Sequence, residues 1–377
     1  MESLLLNEDE TMLRDSARGF LDDTAPVKAF RAVRDAGSGF DRGLWNEMAQ
    51  MGWAGVLVPE AQGGADMGHR AAGILAEDMG QTLVASPFIS TAVMAATVLR
   101  KASGARAEAS LAAIASGAAI YAIAVDEGAK HAPERSALQA VQSGNAFRLT
   151  GRKGFVAEGR AADRVLVLAR TSGDVGDADG LTLFDVAADT KGLDRRAINS
   201  VDGRDFAELT FEGVEATGDD VIGEVGGGLD ALKAGLEAGQ AALAAELTGL
   251  SAGSFAMTAG YLKERKQFGK LIGTFQALQH RAAHMWAEIE VTASAIANAG
   301  RVLDAAPDQA TLAVSLAKAR ATDTAKLIVS EGVQMHGGIG MTDEFDMGFY
   351  MKRARVGAEW LGDYGYHAAR VAAARGF

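Results

Sequence analysis

The sequence predicts an α+β protein with a helical N-terminal domain, a middle antiparallel β domain and a C-terminal four-helix-bundle domain. Apolar residues recur at helical spacing as far as about Gly117, and short apolar runs between Gly and Asp turns follow them. Helical spacing returns at Leu229 and continues over stretches long enough to pack side by side as a bundle. We place the domains at residues 1–117, 118–225 and 226–377.

The N-terminal domain is predicted to contain helices from Asn7 onward, separated by loops at Asp35–Gly39 and Gln62–Asp66. An apolar run that ends in proline, Trp53–Pro59, predicts a buried turn between helices.

The middle domain is predicted from short runs that are partly β-branched or aromatic. A small antiparallel sheet or barrel fits their number and spacing. The predicted strands are Tyr121–Val125, Phe147–Thr150, Arg164–Ala169, Leu181–Val186 and Ala207–Phe211.

The C-terminal domain is predicted from its sustained helical periodicity. Helices of the predicted length pack as an antiparallel bundle, and no internal repeat of the period typical of solenoids is visible. The predicted helices are Leu229–Lys263, Gln276–Leu303, Gln309–His336 and Asp346 to about Ala374.

Composition excludes several functions. The formal net charge of −12 argues against a nucleic-acid surface, which needs cations to neutralise phosphates. The absence of cysteine excludes disulfides and thiolate metal sites, and favours the cytoplasm. The acidic start of the chain does not resemble a secretory signal, and the most apolar stretch, Leu111–Val125, is too short to span a bilayer. His280 and His284 are four residues apart but lack a third ligand, so we expect no metal site.

One carboxylate interrupts a stripe of small residues on the first bundle helix. A seam of Leu229, Leu236, Leu243, Leu250 and Met257 recurs every seven residues and must face other helices. The stripe beside it comprises Gly239, Ala242, Glu246, Gly249 and Gly253. Small residues predict a groove, and burial in it would raise the pKa of Glu246 toward that of a working base. The alternative is that Glu246 forms an ion pair with an Arg or Lys of a neighbouring helix.

Two polar segments interrupt the apolar helices. Glu264–Lys270, followed by Thr274–His280, combines cations and amides with an aromatic ring. Cations and amides suit phosphates and an aromatic ring suits a planar group, so the segment predicts a site for a phosphate-bearing planar cofactor. Gln334–Thr342 predicts the end of a helix and a Gly-rich loop whose backbone amides can approach phosphates.

These segments resemble the two flavin-contacting motifs of acyl-CoA dehydrogenases. The first motif is Arg265–Gly269 with Gln276, and the second is Gln334–Gly340. The α–β–α order, the length, Trp53–Pro59 with Gly63 and Gly64, and Leu149–Val156 agree with the same family across nearly the whole chain.

The resemblance implies FAD, an acyl-CoA substrate and an electron-transfer flavoprotein as electron acceptor, in a homotetramer or a heterotetramer with a second acyl-CoA dehydrogenase-like subunit. It implies α,β-desaturation, in which a carboxylate removes the α-proton and the β-hydrogen leaves as hydride to flavin N5. The implied cofactor-binding residues are Arg265, Gln267, Phe268 and Gln276 in the first motif, Gln334, Gly337 and Gly338 in the second, and Phe155, Val156 and Ala157 against the flavin ring. The resemblance implies that Arg265, Gln267 and Phe268 meet the FAD of a neighbouring subunit, and that Gln334–Gly338 line its ADP portion across the same interface.

The sequence departs from the family pattern at three places. The position of the C-terminal catalytic Glu falls at Leu361, and the position used by a subgroup on the first bundle helix falls at Gly239. The middle-domain loop, Thr-Glu-Pro-like in the family, is Ala124–Gly128 here, and Ala157 replaces a Thr.

The departures leave Glu246 as the candidate base and keep three functions open. The first is an FAD-dependent dehydrogenase acting on a bulky or branched acyl-CoA, such as a steroid-like thioester. The second is a partner subunit that completes a neighbour's FAD site through Arg265 and Gln334 without catalysing the reaction itself. The third is an oxidase on the same scaffold, which would form hydrogen peroxide in air.

Overall fold

The computed structural model describes residues 5–102 and 104–377. They form two compact units. One contains the chain up to Ala32 together with His69–Val84 and Gln240–Phe377, and the other contains Val33–Gly68 and Ala85–Gly239. The three-domain division remains a prediction.

The N-terminal third is helical, as predicted. Its first helix begins with a capping box, in which the Asn7 carboxamide accepts from the Glu10 amide and the Glu10 carboxylate accepts from the Asn7 amide. A π-helix covers Phe88–Ala95. The α-helices are α1 Glu8–Thr24, α2 Val27–Ala36, α3 Arg42–Gln50, α4 Gly68–Gln81, α5 Ala96–Leu99 and α6 Ala105–Ala115.

The middle of the chain forms a sheet in the order β6-β7-β3-β2-β4-β5-β8, with β1 paired to β4. Most pairings are antiparallel, but β1 and β2 both run parallel to β4, so the sheet is mixed rather than wholly antiparallel as predicted. The strands are β1 Tyr121–Ala124, β2 Gln139–Ser143, β3 Ala146–Ala157, β4 Arg164–Arg170, β5 Leu181–Ala187, β6 Leu193–Asn199, β7 Asp205–Thr217 and β8 Val221–Ile222.

The five strands predicted from apolar runs are present, whereas β2, β6 and β8 were not predicted. Strands β2 and β6 are largely exposed and polar, and β8 has two residues, so none of them carries the apolar pattern by which a strand is recognised.

The C-terminal helices are confirmed, with one correction. The helix predicted from Asp346 to about Ala374 is two helices, separated by a turn in which Leu361 has φ 58° and Gly362 has φ 102°. The Asp363 carboxylate then accepts from the Tyr366 amide and starts the second helix. The helices are α7 Gly228–Glu264, α8 Gln276–Ala305, α9 Ala310–His336, α10 Met347–Glu359 and α11 Tyr364–Ala374.

Helices α4 and α7 make a very close contact through glycines on both sides. A Cβ added to Gly249 would lie 1.7 Å from the Glu77 carbonyl oxygen, and one added to Gly253 would lie 2.4 Å from that of Gln81. Reciprocally, a Cβ on Gly80 would lie 2.1 Å from the Glu246 carbonyl oxygen. At Gly249 and Gly253 the predicted groove is therefore filled by the backbone of α4.

No helix among the described residues is both long enough and apolar enough to cross a membrane.

Candidate cofactor and active site

The first cofactor motif forms a tight hairpin after α7. Two short strands, β9 Lys266–Gln267 and β10 Lys270–Leu271, pair antiparallel. Phe268 and Gly269 form the tip with φ 52° and 78°, as a two-residue hairpin turn of the primed type requires. A phenylalanine seldom adopts a positive φ, and here 90% of its side chain is exposed. The hairpin thus presents an aromatic ring to the outside at a cost in backbone strain.

The residues next to the hairpin support its tip. The Phe268 ring stands edge-on to Phe275, with centroids 6.2 Å apart, and Lys270 Nζ lies 4.3 Å from the Phe275 centroid. Gln276 is the first residue of α8 and is exposed, as are Arg265 and Gln267. The guanidinium and both amides therefore remain accessible around the exposed ring.

The second cofactor motif forms an open turn after α9. The helix ends at His336, and Gly337 continues with φ 64° into a 3₁₀ turn over Gly337–Met341. A Cβ added to Gly337 or Gly338 would meet no described atom within 4 Å. Gln334, in the last turn of α9, is also exposed. The turn offers backbone that another group can approach closely.

The two motifs lie at the same end of the bundle. The Arg265 amide donates to the Tyr261 carbonyl at 2.9 Å, and the Tyr261 ring lies 4.5 Å from the His336 ring. A buried apolar cluster underlies both motifs and comprises Leu262, Ile272, Met285, Ile289, Ile328 and Met335. The structure thus brings together the residues that the resemblance assigned to FAD in the hairpin after α7, at the start of α8, and at and just beyond the end of α9.

This surface fits FAD by the chemistry of its groups. A guanidinium, free carboxamides and accessible Gly backbone are suited to a pyrophosphate, and an exposed aromatic ring is suited to a planar ring. Arg265, Gln267, Phe268, Gln276, Gln334, Gly337 and Gly338 would hold the group.

The three predicted flavin-ring residues of the middle domain lie at the end of β3. The β3–β7 register shifts between Lys153 and Val156, and Phe155 sits in that irregularity with φ 53°. The Phe155 ring stacks on Phe206, with centroids 4.2 Å apart and 14° between the planes. Val156 and Ala157 are buried. The stacked pair gives this strand end a flat, half-buried aromatic face.

The middle-domain loop Ala124–Gly128 is anchored to β3 by a buried lysine. Lys153 Nζ donates to Glu127 Oε1 at 2.7 Å and to the Val125 carbonyl at 2.9 Å. Burial lowers the pKa of Lys153 to about 8, although Glu127 opposes the shift. Burial also acts to raise the pKa of Glu127, but Lys153 and backbone amides outweigh it and hold that pKa below its usual value. These contacts give Glu127 a structural role.

Glu246 is buried and forms an ion pair. Arg353 Nη1 of α10 lies 3.6 Å from Glu246 Oε1, and 1% of the Arg353 side chain is exposed. The same guanidinium donates to the carbonyls of Leu83 and Val84, just beyond α4, and stacks on Phe30 at 5.0 Å. The pair corresponds to the structural alternative for Glu246. Its action as a base stays a prediction.

The turn at Leu361, where the family resemblance places a catalytic Glu, is held by hydrogen bonds. The Leu361 carbonyl accepts from Gln240 Nε2 at 3.2 Å and from His367 Nε2 at 3.0 Å. Arg370 Nη1 donates to Gln240 Oε1 at 3.2 Å. Glu359 and Asp363 flank the position without occupying it.

Lys318 of α9 fastens the same turn, and sequence reasoning missed it. Its Nζ donates to the carbonyls of Gly357 and Gly362, both at 3.0 Å, and its side chain is fully buried. Burial lowers the pKa of Lys318 to about 7, against the opposing effects of Asp363 and Glu359. A lysine between the apolar positions Ala317 and Ala321 was the signal available in the sequence.

Comparison with known proteins is consistent with this architecture. The family model described as acyl-CoA dehydrogenase, N-terminal domain, matches residues 7–118, and the one described as acyl-CoA dehydrogenase, C-terminal domain, matches residues 226–375. The chain is 32% identical over 356 residues to the acyl-CoA dehydrogenase IpdE2 of Mycobacterium tuberculosis, covering 94% of this chain and 93% of that protein.

Two further relatives differ in how much they share with this chain. The mitochondrial short/branched chain specific acyl-CoA dehydrogenase of Bos taurus is 32% identical over 59% of this chain and 52% of its own length, so the chain spans about half of that relative. The solved structure of a variant of the Tcur3481-Tcur3483 steroid ACAD is 29% identical, with a TM-score of 0.87 over 97% of both chains. This chain belongs to the acyl-CoA dehydrogenase family, whose members are FAD-dependent oxidoreductases that act on acyl-CoA.

Proposed function

We propose that this protein takes part in the α,β-dehydrogenation of an acyl-CoA thioester and holds FAD at the end of its helical bundle. The observation that carries the proposal is the convergence of the Arg265 hairpin and the Gly337 turn through the contact of Tyr261 with His336, 4.5 Å between ring centroids. Both segments expose polar groups or backbone that the fold itself leaves accessible. Such groups are suited to the phosphates and rings of a dinucleotide.

Each group of residues in this chain would contact a different part of the bound cofactor. Bound FAD supplies the hydride acceptor in such a reaction. Arg265 neutralises phosphate charge, Phe268 covers a ring, and Gly337 and Gly338 allow close approach of the cofactor. Phe155, with Val156 and Ala157 behind it, presents an apolar strand end that excludes water from a bound flavin ring.

Glu246 is the candidate that this chain offers for taking the α-proton. Its ion pair with Arg353 holds the carboxylate in position.

A second candidate function is a partner subunit that contributes FAD-binding residues while another chain supplies the base. The observation that favours it is the turn at Leu361, where the family resemblance places the catalytic Glu and this chain has a leucine, whose carbonyl accepts from Gln240 and His367. On this proposal the protein works in a heterotetramer with a second acyl-CoA dehydrogenase-like subunit. With Glu246 as the base, a homotetramer suffices.

The substrate is proposed to be a bulky or branched acyl-CoA. Support comes from the relatives, which include a short/branched chain specific enzyme and a steroid enzyme. The small-residue stripe no longer supports it, because the backbone of α4 fills Gly249 and Gly253. We further propose an electron-transfer flavoprotein as the electron acceptor and a cytoplasmic location.

The test is spectroscopic. A purified chain with bound FAD should bleach on addition of a branched or steroid acyl-CoA under anaerobic conditions, and Glu246→Gln should abolish bleaching. The matched control is Glu331→Gln, which removes a carboxylate paired with Arg281 in the same bundle and should leave bleaching intact.

The outcomes separate the two functions. Bleaching that requires a co-expressed partner chain and survives in Glu246→Gln supports the partner-subunit function, whereas bleaching by the purified Glu246→Gln chain alone contradicts Glu246 as the base. Protein that takes up no FAD either alone or with such a partner contradicts both. Hydrogen peroxide formed in air at the rate of bleaching would indicate an oxidase instead.

A further inference from the structure

A buried histidine lies between the two cofactor motifs. His336 is the last residue of α9 and is 3% exposed. One neighbour is Tyr261, one helical turn before Arg265, with centroids 4.5 Å apart. The other is Phe345, beyond the Gly337 turn, with centroids 4.8 Å apart. The imidazole therefore contacts the end of α7 on one side and the chain that follows the second motif on the other.

Contacts on several sides fix the orientation of the His336 ring. His336 Nδ1 donates to the Gly332 carbonyl at 2.7 Å, one turn back along α9. A Cβ added to Gly340 would lie 2.9 Å from His336 Cβ, so the 3₁₀ turn closes tightly over the base of the side chain. The ring is thus held by its own helix, by the turn and by two aromatic neighbours. A displacement of one motif would therefore displace the ring and, with it, the other motif.

The surroundings favour the neutral ring. Because Nδ1 donates to a carbonyl, Nε2 carries the lone pair, and Nε2 is buried with no hydrogen-bond partner among the described residues. A proton on Nε2 would thus find no acceptor there. Burial lowers the pKa of His336, and the bond to Gly332 only partly opposes that shift.

The charged groups near this ring are engaged elsewhere. Tyr261 faces it from α7, and Phe345 faces it from the turn before α10. On either side of Phe345, Asp343 and Asp346 lie 3.7 Å and 2.6 Å from the guanidinium of Arg31. No carboxylate is among the groups that shift the pKa of His336.

We propose that His336, as an uncharged ring packed between Tyr261 and Phe345, is the positioning residue that holds the Arg265 hairpin and the Gly337 turn in register for FAD. The inference rests on the proposed FAD site. It assigns to His336 no contact with the cofactor and no proton transfer. Its consequence is that both motifs loosen together when the ring is removed or charged.

The experiment uses the full-length chain without FAD and compares His336→Ala with His336→Phe by hydrogen exchange. His336→Ala should raise exchange at least tenfold at the Arg265 amide, which Tyr261 holds, and at the Thr342 amide, which the 3₁₀ turn holds. His336→Phe keeps an aromatic ring in the stack and should leave both amides near wild-type protection.

The second readout is FAD affinity as a function of pH. In the wild type, the dissociation constant for FAD should rise as the pH falls through the pKa of His336, which burial holds below the ordinary histidine value of about 6.5, whereas His336→Phe should show no such rise. The FAD titrations use the chain with its partner subunit if FAD binding requires one.

Each outcome decides the inference separately from the proposed function. Increased exchange confined to the Gly337 turn, with the hairpin unaffected, contradicts coupling by His336. Equal pH profiles in wild type and His336→Phe contradict the requirement for a neutral ring. Absence of FAD binding at every pH contradicts the proposed function, and the exchange experiment still decides whether His336 couples the two motifs.

Discussion

Two regions of the bundle unit present opposite arrangements of polar groups. At the cofactor end, Phe268 is 90% exposed and a Cβ on Gly337 or Gly338 would meet nothing within 4 Å. At the turn around Leu361, by contrast, the polar groups of Gln240 and Lys318 are buried and bonded to the chain itself. Polar or aromatic groups that stay exposed at a cost in backbone strain indicate a surface for a ligand. Polar groups that are buried and hydrogen-bonded within the chain indicate a structural role.

This comparison bears on where the chemistry takes place. The resemblance to acyl-CoA dehydrogenases places a catalytic carboxylate at Leu361, yet this chain has converted that turn into an internally bonded corner. The cofactor end exposes the groups to which we assign FAD binding. The predictions below test this proposed role and the structural role of the buried groups.

The largest effect on stability is expected at the buried Arg353 of α10, outside the two cofactor motifs. Arg353→Met leaves Glu246 without its buried partner and removes the donor to the Leu83 and Val84 carbonyls. We expect a loss of about 3–5 kcal/mol in the free energy of unfolding, measured by urea denaturation. Arg355→Met is the control, because that α10 neighbour is 74% exposed and should cost less than about 0.5 kcal/mol. Equal losses in the two variants would show that Arg353 does not stabilise Glu246 and the Leu83 and Val84 carbonyls as described.

Lys318 should give the protein a stability that increases above neutral pH. Its pKa is lowered to about 7 in the folded state, whereas an unfolded lysine keeps its proton to about pH 10.4. Between these values the unfolded state binds more protons, so stability rises with pH by up to about 1.4 kcal/mol per unit.

In Lys318→Met this rise should be smaller. It should not vanish, because Lys153 has its pKa lowered to about 8 and contributes with the same sign. The measurement is the free energy of unfolding from pH 7 to pH 10. Identical slopes in wild type and Lys318→Met would mean that Lys318 keeps an ordinary pKa.

At the cofactor end, Phe268→Ala should weaken FAD binding and leave the stability of the protein nearly unchanged. Since the ring is 90% exposed and adopts a positive φ, its removal should change the stability of the FAD-free protein by less than about 0.5 kcal/mol. The dissociation constant for FAD should rise about tenfold, equivalent to about 1.4 kcal/mol. Trp286→Ala removes a different exposed aromatic side chain, one that lies in α8, and should leave FAD affinity unchanged. An unchanged affinity in Phe268→Ala would remove the ring from the site.

The smallest effect on stability is expected at Gly338. A Cβ there meets open space, so Gly338→Ala should shift the free energy of unfolding by less than about 0.5 kcal/mol while obstructing close approach of FAD. Gly337→Ala provides the comparison, because φ is 64° there and a side chain should cost about 1 kcal/mol or more. Thermal denaturation and FAD titration of both variants test the pair. Full FAD affinity in Gly338→Ala would contradict a cofactor lying against this turn.

Much of this fold follows from local pattern, and its exceptions have physical causes. Helix α7 was predicted as Leu229–Lys263 and runs over Gly228–Glu264, because a long apolar period outweighs local ambiguity. The break at Leu361 was not predictable, since a leucine with positive φ has no local signal beyond the following glycine. Strand β6 is polar and lies at the sheet edge, so its pairing with β7 defines it rather than its own sequence.

The motifs of the candidate site could be predicted from the sequence, but the tertiary contacts between them could not. The two cofactor motifs could be assigned from residue type and order. The need of Glu246 for a partner could also be predicted, because a buried carboxylate requires one. That the partner is Arg353, over one hundred residues away, depends on how α7 and α10 pack, which periodicity does not specify. The contact of His336 with Tyr261 depends on packing in the same way.

The glycines shared by α4 and α7 limit how the protein can be redesigned. A row of small residues is easily interpreted as room for a large substrate, yet here carbonyls of a neighbouring helix take the place of the missing side chains at Gly249 and Gly253. Even alanine at Gly249 would drive the two helices apart, so introducing larger side chains along this row acts as a wedge. Attempts to broaden substrate range should leave the crossing untouched and vary residues elsewhere in the chain.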